Sequence, residues 1–144
     1  TDFEKRMEGY KALKAGSLAP EILLTTPEGK HLNLKDIKNE QIVLAFWASW
    51  YPNCEAKMPT IEEFAKKHSK ITVVAISLDE EEAVYKEAIK KYPSLTHSCD
   101  FKKWKGKIVE DYYIYGTPTF IVLDKEYKIV GKYSSWESAV KVLK

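Results

Sequence analysis

The sequence predicts an α/β domain: a central mixed β-sheet with helices on both faces, preceded by an N-terminal helix and a β-hairpin. Three observations carry this. Ile42–Trp47 is an uninterrupted apolar run rich in branched and aromatic residues, and Ile71–Leu78 is a second such run, as suits strands buried on both faces. Segments with apolar residues at helical spacing alternate with these runs. A second hairpin pattern then precedes a closing helix, which points to a mixed rather than an all-parallel sheet.

Taken in order, Phe3, Met7, Tyr10 and Leu13 recur at helical spacing, with Asp2 placed to cap and Gly16 to end the segment. Residues 1–15 therefore read as an amphipathic helix, and 16–144 as the α/β domain. Glu21–Thr25 and Lys30–Leu34 flank Pro27-Glu28-Gly29, a turn joining two short strands. After Pro52, the residues Met58, Ile61, Phe64, Ala65 and His68 share one helical face, with Pro59 as an expected kink. Glu80–Lys91 reads as a charged helix with Ala83, Ala88 and Ile89 toward the sheet, closed by Pro93. Thr119–Leu123 and Ile129–Tyr133 form the second hairpin, and Trp136–Leu143 the last helix.

Composition excludes several function classes. Lys+Arg 23 against Asp+Glu 21 leaves a net charge of +2 over 144 residues, with the charges interspersed. Such a surface carries no electrostatic footprint for nucleic acid. The longest apolar run, Ile42–Ala48, falls far short of the ~20 residues a membrane-spanning helix needs. No membrane insertion by this segment is expected. The chain begins at Thr1 without a charged-then-apolar leader, so a processed product or a piece of a longer chain is expected. Two cysteines, Cys54 and Cys99, do not define a redox compartment by number alone.

The segment Phe46-Trp47-Ala48-Ser49-Trp50-Tyr51-Pro52-Asn53-Cys54, followed by Met58-Pro59, resembles the active-site segment of the TlpA/ResA branch of the thioredoxin superfamily, with the AhpC/TSA and redoxin proteins as broader relatives. Gly29, Asp100 and Tyr115-Gly116-Thr117-Pro118-Thr119-Phe120 match in the right order. The resemblance covers the chain from about Gly16 onward. It implies a thioredoxin-like fold, thiol-disulfide oxidoreductase chemistry without a cofactor, and a bacterial, extracytoplasmic or periplasmic setting. Protein thiols, disulfides or extended peptide segments are the implied partners.

One departure governs the chemistry. Where the resembled family places its first, nucleophilic cysteine, this chain has Tyr51. A phenol with a pKa near ~10 neither attacks a disulfide nor resolves a mixed one, so ordinary dithiol exchange is not available here. The resemblance also places Ala45 where thioredoxin carries a buried acid.

Cys54 then has two readings. In the first turn of a helix its thiolate is favoured by free N–H groups and the helix dipole, although Glu55 opposes this; alternatively it is an inert remnant. Cys99 is either a resolving thiol on the same rim or a small buried hydrophobe. Thr117 and Pro118, by resemblance a cis-proline segment, and Trp50, Tyr51, Pro52 and Asn53 form the candidate binding surface, while Trp47 is expected in the core. That surface supports a competing reading as a redox-inactive protein-binding module. A peroxiredoxin-like peroxidase is a weaker alternative, because Arg6 lies outside the resembling region and Tyr51 stands where that family has Thr. His97 and Cys99 lack the paired spacing of a zinc site, so no metal is expected.

Overall fold

In the computed structural model, described for residues 16, 18–19, 23–48, 52–79, 81–99 and 118–143, a five-stranded sheet is built around one central strand. The side chains of Leu23 and of residues 52–55 lie outside that set, as does the expected N-terminal helix over 3–13. A two-stranded hairpin, β1 (Leu23–Thr25) and β2 (His31–Asn33), leads through a 3-10 turn at Leu34–Asp36 to β3 (Gln41–Trp47). Then follow α1 (Pro52–Lys67), β4 (Ile71–Ser77), α2 (Glu82–Ile89), β5 (Thr96–Cys99), β6 (Thr119–Asp124), β7 (Ile129–Tyr133) and α3 (Trp136–Val140).

The five-stranded sheet has the order β5-β4-β3-β6-β7. β3 pairs parallel with β4, and β4 parallel with β5, whereas β3–β6 and β6–β7 are antiparallel. The sheet is mixed, as the sequence predicts.

Burial of both sheet faces explains why β3 and β4 read as unbroken apolar runs. On one face Val43, Ala45, Trp47, Val73, Ala75, Phe120 and Val122 form a core with Met58 and Ile61 of α1, Ala88 and Ile89 of α2, and Trp136 and Ala139 of α3. On the other, Ile42, Leu44, Phe46, Val74, Ile76, Ile121 and Leu123 pack under Leu24 of the hairpin, Leu34 of the 3-10 turn and Ile37. Among the described residues the three α-helices share the first face, and the hairpin with its 3-10 turn closes the second. Gly29 turns the hairpin at φ 83°, a conformation that favours glycine, with its N–H donating to the Thr26 carbonyl at 2.9 Å.

Two helices differ from expectation. α2 covers Glu82–Ile89 rather than Glu80–Lys91; Glu80 lies outside the described residues, and Lys90 and Lys91 belong to a turn in which the Lys91 N–H donates to the Ala88 carbonyl. Ala83 is exposed, and Tyr85 is the buried residue of this helix. The reason is helical geometry: Tyr85, Ala88 and Ile89 share a face, whereas Ala83 sits about 140° around from Ala88. α3 ends at Val140, because the Val142 and Leu143 N–H groups bond three residues back, to Ala139 and Val140, and tighten the tail into turns.

Candidate active site at the C-terminal rim of the sheet

Strand register brings the chemistry to one rim. Trp47 of β3 lies beside Ser77 of β4, and Ser77 beside Cys99 of β5. One step earlier, Ala45, Ala75 and His97 form the next row. Parallel register keeps side chains of one row on one face, so Cys99 and His97 share the face that carries α1. The Leu78 N–H donates to the Trp47 carbonyl at 2.8 Å, which extends β3–β4 pairing past the end of both strands. Beyond that end the chain enters α1 at Pro52, with Asn53 and Cys54 in its first turn. The helix start that the sequence predicts after Pro52 is therefore present, and a helix start leaves its first backbone N–H groups without an intrahelical partner.

Cys99 is 3% exposed, and its thiol donates to the backbone carbonyl of Asp79 at 3.4 Å. Asp79 is itself only 1% exposed. The Ser77 hydroxyl donates to the Asp79 carboxylate at 2.6 Å and accepts from the Asp79 N–H at 2.9 Å. One hydroxyl thus satisfies two groups of a buried acid, which is what burial of a carboxylate requires. Tyr85 of α2 completes this neighbourhood. Burial, and then electrostatic repulsion from Asp79, Glu28 and, in alkali, an ionised Cys99, with Cys99 the largest of the three, push its phenol well above the ordinary value of 10.0.

His97 is buried, with Nε2 2.7 Å from the Tyr92 carbonyl. Burial lowers its affinity for a proton, against the opposing pull of the Tyr92 hydrogen bond and the Glu62 charge. Trp47 lies edge-on to Tyr92, with ring centroids 6.1 Å apart, and is buried in the core as expected. His31 is exposed, and His68 ends α1 stacked on Phe64 at 4.0 Å. Pro118 is half-buried one residue before Thr119, which lies opposite Phe46 of β3, so it sits at the same rim.

Cys99 and Pro118 thus lie at the C-terminal rim of β3 and its neighbours, and the helix that bears Cys54 starts beyond the end of β3. Trp50, Tyr51, Asp100, Thr117 and the tyrosines Tyr112, Tyr113 and Tyr115 lie outside the described residues. Among the described residues no three His, Cys, Asp or Glu side chains converge as metal ligands, and no helix is long and apolar enough to cross a membrane. Sequence reasoning missed Ser77, Asp79 and Tyr85. An acid directly after the apolar run Ile71–Leu78 was the available signal for Asp79, because open sheets of this kind assemble their sites at strand C-termini.

The Thioredoxin-like family model matches residues 39–129, the span from the start of β3 through the start of β7. The chain belongs to the thioredoxin-like family. Among curated relatives, the thiol-disulfide oxidoreductase ResA of Bacillus cereus is 33% identical over 83% of this chain and 69% of its own length. The thioredoxin-like protein YneN of Bacillus subtilis is 32% identical over 79% of this chain and 68% of its own. A solved thiol-disulfide oxidoreductase from Bacteroides fragilis superposes with a TM-score of 0.73 at 27% identity, covering 89% of this chain and 100% of that one. The thioredoxin domain of an oxidoreductase from Bacteroides vulgatus gives 0.74 at 27% identity, over 92% and 99%. This thioredoxin-like protein is thus a member of the thiol-disulfide oxidoreductase family.

Proposed function

We propose that this protein carries out thiol-disulfide exchange through Cys54 alone, with the second thiol supplied from outside. The observation that carries the reading is the opening of α1 at Pro52, just beyond the buried end of β3, with Cys54 in the first helical turn. In the first step the Cys54 thiolate attacks one sulfur of a substrate disulfide. That S–S bond breaks, a mixed disulfide forms, and the other sulfur leaves as a thiolate. A second thiol, from the substrate or a small thiol, then attacks the mixed disulfide and releases Cys54.

One feature favours an outside thiol over Cys99 as resolver: Cys99 is buried, with its thiol donating to the backbone carbonyl of Asp79. The family resemblance supports an extracytoplasmic setting with protein thiols or disulfides as substrates.

The test is turnover of glutathione disulfide and of insulin disulfides by the reduced protein. Cys54→Ser is expected to abolish it and Cys99→Ser to retain it. Activity unchanged in Cys54→Ser would overturn the reading.

A second reading rests on Pro118, half-buried at the rim beside the β3–β6 pair. A surface of Trp50, Tyr51, Pro52, Asn53, Thr117 and Pro118 would hold an extended peptide without redox chemistry. Tyr51→Ala is then expected to weaken peptide capture and Cys54→Ser to leave it intact. The opposite pattern would exclude this reading.

A further inference from the structure

His97 belongs to neither reading, yet its surroundings set a specific chemical condition. Its Nε2 faces the carbonyl oxygen of Tyr92 at 2.7 Å. A carbonyl only accepts, so the hydrogen of the neutral ring is on Nε2, and Nδ1 carries a bare lone pair. That Nδ1 is buried and has no hydrogen-bond partner. A neutral ring tolerates this arrangement, because an unmet acceptor costs little beside a charged donor. Protonation would place a positive N–H at Nδ1 with nothing to receive it, the configuration that buried polar groups avoid most strongly.

The groups around the ring do little to relieve that charge. From α1, Glu62 favours the protonated form, although its carboxylate already accepts from the Ser94 N–H at 2.8 Å. From β4 the row partner is Ala75, and α2 brings Ala88 and Ile89 to the same core, all apolar. From the preceding turn comes Tyr92, whose carbonyl is the partner already named and whose ring packs on Trp47. On β5 itself Cys99 follows two residues later, its thiol donating to Asp79.

The element that holds His97 is an edge of the sheet. Among the described residues β5, four residues long, pairs only with β4 and is tied to the hairpin by the Thr25 N–H donating to the Ser98 hydroxyl at 3.0 Å. Edge elements with few anchors are where sub-global opening begins.

We propose that His97 is an acid-sensitive latch: its protonation from solvent releases the Tyr92–Cys99 edge, hydrates Nδ1 and uncovers the Cys99 thiol, while the rest of the sheet stays folded. Burial, which lowers the proton affinity of the closed ring, agrees in direction with this. Between the closed-state value and the ordinary 6.5, opening is expected to increase by up to about tenfold per pH unit.

Hydrogen exchange read by peptide mass spectrometry, corrected for intrinsic rates, tests this at about pH 7 and about pH 5. The wild type is expected to lose protection over residues 92–99 at the lower pH, with β3 and β6 unchanged. Cys99 is expected to become accessible to a pyridyl disulfide, which reacts with thiols in acid. His97→Gln keeps an amide donor for Tyr92 without a titrating ring and is expected to abolish the pH dependence. Glu62→Gln, outside the core, removes the charge that stabilises the protonated ring in the closed fold and is expected to enlarge the opening seen at about pH 5. Equal protection of β5 at both pH values, an equal loss across all strands, or a response unchanged in Glu62→Gln would each overturn the latch. These readouts do not depend on chemistry at Cys54.

Discussion

The Cys99 thiol donates to the backbone carbonyl of Asp79 at 3.4 Å, which ties the end of β5 to the residue that leaves β4. The same Asp79 is held by Ser77, the register partner of Cys99. A thiol fixed in this way is a packing and anchoring group in the closed fold, and its burial separates it chemically from a cysteine at a helix start.

The two thiols are therefore expected to alkylate at different rates. In the reduced native protein at about pH 7.5, Cys99 should react at least about tenfold more slowly than Cys54, because it must await local opening. Peptide mass spectrometry resolves the two sites, and denaturant should erase the difference. Equal native rates would contradict the burial of Cys99.

Replacing the phenol at the motif tests how much of the machinery is intact. Tyr51→Cys recreates a pair spaced as in the resembled motif, and it is expected to confer insulin reduction well above that of the parent. A parent-level rate in a folded variant would mean that the site departs from its relatives at more than one residue.

Ser77→Ala removes both hydrogen bonds that this hydroxyl makes with Asp79. Stability is expected to fall by about 1–3 kcal/mol, since a buried carboxylate is left with fewer partners. Urea titration measures it. Asp79→Asn in the Ser77→Ala background should cost less than it does alone, because the two residues act as a unit.

Tyr85 predicts an alkaline limit. Its phenol holds its proton more tightly in the folded state than the ordinary value of 10.0, chiefly through burial. Above pH 10 the unfolded chain therefore binds fewer protons than the folded one, and stability falls as pH rises. The contribution is fully present below 10 and is lost upward. Tyr85→Phe should flatten this slope in urea titrations between about pH 9 and about pH 11; an unchanged slope would place the alkaline loss elsewhere.

Trp136 anchors α3 to the sheet, edge-on to Phe64 at 5.2 Å and to Phe120 at 5.6 Å, with Ser135 capping the helix through the Ser138 N–H. Trp136→Ala is expected to cost about 3–5 kcal/mol. Lys57→Ala breaks the exposed ion pair with Glu137 that also joins α1 to α3, and it should leave Tm nearly unchanged. Thermal unfolding of the two variants separates packing from charge.

Much of this protein was determined by local pattern. The runs Ile42–Trp47 and Ile71–Leu78, the turn at Gly29 and the helical face of Met58 and Ile61 each follow from periodicity and backbone preference, so the mixed sheet was legible residue by residue. The helix start at Cys54 was legible in the same way, because it lies within one contiguous motif. What periodicity alone could not supply was the partnership of residues distant in the chain. Ser77, Asp79, Tyr85 and Cys99 meet only because parallel register aligns β4 with β5 and α2 returns over that edge. His97 reads as an ordinary histidine until the carbonyl at Tyr92 selects its tautomer and burial strips its other nitrogen of partners. Hydrogen bonds and desolvation act through space, and the spatial neighbours of a side chain are chosen by the assembled sheet rather than by its neighbours in the chain.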